Sequence, residues 1–95
     1  MNRVQLSARK WRTEQDVHDA LARALQFPGY YGRNLDALFD CLRELTDTQL
    51  VIEDCAFAAE RIERWGKFLM VFFDSAMENP GLQIRLLAGN GDYGD

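Results

Sequence analysis

The chain contains one histidine, two cysteines and two prolines, and no apolar run long enough to span a bilayer. Each scarcity removes a class of function. A single histidine, with no serine, histidine and aspartate constellation and no glycine-rich phosphate loop, gives little from which to build a hydrolase or nucleotide-handling enzyme, so no catalytic residue is expected. Cys41 and Cys55 have neither zinc-ligand spacing nor a Cys-x-x-Cys arrangement. They read as buried thiols of a reducing compartment, with no metal and no cofactor implied. Lacking about 18 consecutive apolar residues, and starting Met-Asn-Arg-Val-Gln-Leu-Ser without the apolar core of a signal peptide, the protein is expected to be cytoplasmic with no membrane partner.

Bases are also scarce where acids gather. From Asn34 to Asp54 there are six acids against one base, Arg43, whereas Met1 to Gly32 carries five bases and three acids; the whole chain has a net charge of -4. Arg9, Lys10 and Arg12 make too small a basic cluster for direct nucleic-acid binding. The acidic middle segment instead favours a basic protein partner.

At 95 residues, 47% apolar and 27% charged, the chain has the size and balance of one globular domain. Val4 and Leu6 alternate with polar neighbours as a first strand ending at Ser7. Thr13 before Glu14, Gln15 and Asp16 reads as the N-cap of a helix that Phe27-Pro28-Gly29 stops. A second helix starts near Asn34, a good N-cap, and runs to about Leu45 on a stripe of Leu35, Leu38, Leu42 and Leu45. Gln49 to Glu53 is a buried strand, Asp54 is placed to cap a short third helix, and a fourth helix from about Trp65 to Asn79 is apolar enough around Leu69 to Phe73 to be deeply buried. Leu82, Ile84 and Leu86 alternate as a last strand. Strands separated by helical crossovers pair in parallel, which predicts an α/β fold: a small three-stranded parallel sheet packed with about four helices. The domain is expected over residues 1–88, with 89–95 a flexible tail.

The segment Gly29-Tyr30-Tyr31-Gly32-Arg33-Asn34-Leu35-Asp36-Ala37-Leu38-Phe39-Asp40 concentrates the candidate functional residues. At about 100° per residue, Asp36, Asp40 and Glu44 form one rail, roughly opposite the leucines, with Phe39 between rail and stripe. Arg33 with Asp36, and Asp40 with Arg43, have the i,i+3 spacing of ordinary surface ion pairs. Carboxylates strung along a helix chelate metals poorly. The flanking glycines suggest an unusual backbone path for the Tyr30-Tyr31 loop. Tyr30 is the surface contact, whereas Tyr31 could either join it or lid the core.

Pro28, Tyr30-Tyr31-Gly32, Asn34-Leu35-Asp36-Ala37-Leu38 and Asp40-Cys41-Leu42 closely resemble the barstar family of intracellular ribonuclease inhibitors. Weaker agreement, at Asp16, His18, Leu50-Val51 and Val71-Phe72, extends over about residues 1–88. The resemblance implies the barstar-like α/β fold and an immunity protein or antitoxin that binds a cognate ribonuclease, as a 1:1 complex. The second helix and its preceding loop would plug the enzyme's phosphate-binding site. Asp40 would be the central carboxylate, with Tyr30, Leu35 and Asp36 packed around it, Phe39 where the family has tryptophan, and Asp74 a peripheral acid. The full expected contact set is Tyr30, Tyr31, Arg33, Asn34, Leu35, Asp36, Phe39, Asp40, Arg43, Glu44 and Asp74. Three positions depart from the family: Arg33 replaces an acid, Glu44-Leu45 replaces a glycine-tryptophan pair, and Phe39 lacks an indole N–H. They point to a ribonuclease other than barnase. The alternative is an acidic module covering a basic surface of some other protein.

Overall fold

In a computed structural model, residues 1–89 are described. The elements run β1 (Asn2–Ser7), α1 (Glu14–Leu25), α2 (Leu35–Arg43), β2 (Thr48–Glu53), α3 (Cys55–Arg61), α4 (Trp65–Glu78) and β3 (Leu82–Leu86). The sheet order is β1-β2-β3 with every pair parallel; Val4 registers with Leu50 and Leu50 with Ile84. Since both crossovers step the same way and such connections are right-handed, all four helices fall on one face of the sheet. Val4, Leu6, Leu50, Ile52 and Leu82 join the core on that face. On the other, Arg3, Gln5, Gln83 and Arg85 are exposed. Among the described residues the sheet is therefore covered on one side only. Val51, buried but outside the main core, lies in register between Gln5 and Arg85, and Gln5 donates to Glu53 at 2.5 Å.

Helix ends follow local chemistry in α1 and α2. Thr13 and Asp16 form a reciprocal capping box: Asp16 N–H donates to Thr13 Oγ1 at 3.2 Å, and Asp16 Oδ2 accepts from Thr13 N–H at 3.1 Å. Gln26, left-handed at φ 58°, ends α1. Asn34 Oδ1 accepts from Ala37 N–H at 2.8 Å and starts α2. At α3 the expected cap does not form. Asp54 is itself left-handed (φ 61°) and makes no capping bond. The free amides of Asp54, Cys55 and Ala56 donate instead to the carbonyls of Gly89, Leu87 and Ala88. The chain after β3 thus closes the start of α3, and Gly89, expected to open the tail, is tied down; residues 90–95 of that tail lie outside the described residues.

The core gathers Trp11, Val17, Leu21, Leu38, Leu42, Phe68 and Phe72 between the helices and sheet. Helix α4 is the exception to expectation. Trp65, Phe68, Phe72 and Ser75 are buried, but Leu69, Met70, Phe73 and Met77 are 36%, 60%, 66% and 71% exposed. A helix packed over the last strand of a three-stranded sheet, with α2 on one flank, has nothing among the described residues to cover its outer side. Its apolar circumference exceeds what so small a sheet can bury.

Candidate protein-binding site

Helix α2 is held from beneath and at its C-terminus. Leu38 and Leu42 are fully buried beneath it. Its C-terminus, where carbonyls lack helical partners, is tied by Asn79: Nδ2 donates to Leu42 O at 3.0 Å and to Leu45 O at 2.8 Å, and Oδ1 accepts from Gly81 N–H at 2.9 Å. Because Asn79 ends α4, the outer face of α2 is presented on a fixed base.

The preceding loop is a turn closed by Tyr31 N–H donating to Pro28 O at 3.0 Å. Neither Gly29 nor Gly32 is in the left-handed region; the strained residue is Arg33, at φ 52°. A side chain at Gly32 would press to 3.1 Å from Asn34 Nδ2, so that glycine serves close approach to the cap. The turn throws Tyr30 outward, 89% exposed, and sends Tyr31 inward, 5% exposed. This corrects the placing of Tyr31 on the contact surface. Its ring packs edge-on to Phe27 at 4.9 Å between centroids, and its hydroxyl lies 2.6 Å from His18 Nδ1. Burial drives the phenol's pKa well above its ordinary value and the imidazole's below 6.5.

The His18 shift has a pH consequence. The folded state holds the ring neutral, whereas the unfolded chain takes up a proton below about 6.5. Stability from this site is complete above that value and falls as pH drops through it toward the lower folded pKa. Urea unfolding should show lower stability at pH 5.5 than at pH 7.5, and His18→Gln should lose that part of the slope. An unchanged slope in the variant would assign the effect to other groups.

The rail carboxylates Asp36, Asp40 and Glu44 are exposed, and among the described residues none is in an ion pair. The i,i+3 pairs do not form. Arg33 turns back to α1, with Nε 2.8 Å from Asp19 Oδ1, and Arg43 reaches α4, with Nη1 3.2 Å from Glu78 Oε1. Both cations nearest the rail are thereby engaged by acids outside it. The Arg43 guanidinium also lies 4.9 Å from the centroid of the half-buried Phe39 ring, fixing that ring beside the rail.

Asp40 and Tyr30 line one groove of about 420 Å³ with Leu25, Phe27, Cys41 and Glu44, between the end of α1 and the side of α2. Desolvation, with the charges of Glu44 and Asp40, raises the Cys41 thiol pKa, so it stays protonated there. Of the expected contact set, Tyr30, Asp36, Asp40 and Glu44 are exposed around this groove and rail, with Phe39 at its border. Leu35 is half-buried, Asn34 is spent on its cap, and Asp74 is exposed on α4. Asp19 and Glu78 were not foreseen, and no local signal marks them: their partners are 14 and 35 residues away.

Residues 1–88 match the protein family described as Barstar (barnase inhibitor). Over 78 residues, 82% of this chain and 80% of the other, the sequence is 35% identical to the Bacillus subtilis (strain 168) protein named "Putative ribonuclease inhibitor YrdF". No helix among the described residues is long and apolar enough to cross a membrane.

Proposed function

Since the chain belongs to the barstar family of barnase inhibitors, it works by binding and not by catalysis, and we propose that it inhibits a cognate ribonuclease by seating α2 and the Pro28–Tyr31 turn in the enzyme's active site. The observation that carries this reading is the unneutralised rail: exposed Asp36 and Asp40 on α2 and Glu44 at its C-cap, with Arg33 and Arg43 drawn off by Asp19 and Glu78. A ribonuclease holds phosphodiesters with cationic donors. A carboxylate at the position of Asp40 competes for those donors, and the groove beside it accepts a side chain from the enzyme's rim.

In this reading Asp40 enters the phosphate site, Asp36 and Glu44 extend its field, and Tyr30 and Phe39 are the aromatic contacts on either side. Leu35 and Asp74 border the contact. Tyr31 and Asn34 act beneath it, by fixing the turn and the helix start. Arg33, paired with Asp19, does not oppose a basic enzyme as a free cation would. The role is that of an immunity protein or antitoxin, one inhibitor per enzyme, protecting the cell in which the ribonuclease is made. Adding the protein to its cognate ribonuclease should abolish RNA cleavage; undiminished cleavage at excess protein would overturn the proposal.

A further inference from the structure

The Pro28–Tyr31 turn is a ridge between two grooves, and Phe27 and Pro28 line both. One groove carries Asp40 and Glu44. The other, of about 470 Å³, is lined by Asp19, Arg23, Phe27, Gly29, Tyr31 and Arg33, which sets two guanidiniums against one carboxylate. Its charge is opposite in sign to that of the first. The carboxylate is also spent: Asp19 Oδ1 accepts from Arg33 Nε at 2.8 Å and from Gln15 Nε2 at 3.0 Å. Those two bonds, with the nearby charges of Arg33 and Arg23, hold the Asp19 carboxyl below its ordinary pKa. Arg23 is exposed and in no ion pair among the described residues. Arg33 spends its Nε on Asp19 and holds its guanidinium 5.9 Å from the centroid of the Tyr31 ring, which leaves both Nη groups as unused donors.

We propose that this groove takes an Asp or Glu side chain from the rim of the cognate ribonuclease, with Arg23 and Arg33 as its donors. The inference rests on the ribonuclease-inhibitor reading and adds to it the residues that set which enzyme is accepted. Three observations select this occupant. First, the donors fit a carboxylate: a guanidinium presents a planar fork of N–H groups that a carboxylate matches with two bonds. Second, the turn is shaped for an approach that the fold itself does not need. Arg33 stands at φ 52°, a strained conformation for a residue with a side chain. Gly29 is not left-handed, and a Cβ there would meet nothing within 4 Å, so its bare backbone leaves that wall of the groove open. Third, the two grooves share a wall, so an enzyme seated over Asp40 extends across the ridge. A phosphate of RNA is the poorer occupant, because the rail of Asp36, Asp40 and Glu44 and the net charge of -4 repel a polyanion. The ridge thus reads charge on both sides, a cation of the enzyme at Asp40 and an acid at Arg23 and Arg33. A ribonuclease with lysine or arginine at the second point would bring like charges together and be rejected.

Surface plasmon resonance of the full chain on its cognate ribonuclease, beside urea unfolding, tests the groove. Arg23→Glu should weaken binding about a hundredfold with the urea midpoint unchanged, because Arg23 pairs with nothing inside the protein; unchanged affinity overturns the proposal. Asp19→Asn removes the acid of the groove and should tighten binding severalfold. Weakening as large as that of Arg33→Gln would make the Asp19–Arg33 pair a strut of the turn and overturn the subsite. Exchanging the acids around the enzyme's active site for lysine, one at a time, should reveal one position whose exchange restores binding to Arg23→Glu. If no exchange restores it, the groove holds no carboxylate and the proposal falls. Asp40→Ala separates the two readings: loss of binding in Asp40→Ala with none in Arg23→Glu overturns the groove alone, whereas normal binding by both overturns the seating of α2 in the enzyme and the groove with it.

Discussion

Asp40→Ala is expected to weaken binding to the cognate ribonuclease by about 3 kcal/mol or more, a loss of over a hundredfold, while changing folding stability by less than about 0.5 kcal/mol. The two halves have separate causes. Asp40 is exposed, at the rim of the groove, and is in no ion pair or side-chain hydrogen bond among the described residues, so its removal costs the fold almost nothing. In the proposed complex the same truncation would leave the enzyme's phosphate-binding cations desolvated and unpaired, which is the expensive outcome. Isothermal titration beside urea unfolding would read both numbers. Normal affinity in the variant would remove Asp40 from the centre of the contact.

The opposite pattern is expected from Phe68→Ala. Phe68 is fully buried on α4, stacked on Trp65 at 6.0 Å between centroids and 5.2 Å from the ring of His18 on α1. It joins α4 to the helix that supports the Tyr31 turn. Truncating such a ring costs about 3–5 kcal/mol in transfer and cavity energy, a large share of the 5–15 kcal/mol a domain possesses. The urea midpoint should fall sharply with little change in slope. The fraction that remains folded should still bind, since no contact residue is touched. A loss below about 1 kcal/mol would contradict the central place of this ring in the core.

Much of the fold could be read from the sequence because its signals are local. Period-two alternation marks β1 and β3, Thr13 and Asn34 mark helix starts, and helical crossovers dictate parallel pairing. The rail was legible for the same reason: Asp36 and Asp40 share a helix face by arithmetic alone, although the helix expected to reach about Leu45 ends at Arg43 and leaves Glu44 as its C-cap. What was not legible depends on residues distant in sequence. Nothing near Arg33 or Arg43 announces Asp19 or Glu78, so the departure of both cations from the rail needs three dimensions. Tyr31 turns inward because His18 offers its hydroxyl a partner. Asp54 does not cap α3 because the carbonyls of Leu87 to Gly89 already occupy its amides. The apolar run of α4 reads as buried until the sheet proves, among the described residues, to have three strands and no cover beyond β3.

The measurement that bears most directly on the central claim is a titration of cognate ribonuclease activity with this protein. RNA cleavage should fall linearly with added protein and vanish at one equivalent, as a tight plug of the active site requires. Cleavage that persists at several equivalents, with the two proteins nevertheless bound, would contradict the account, because a partner held away from the phosphate site is not inhibited by Asp40.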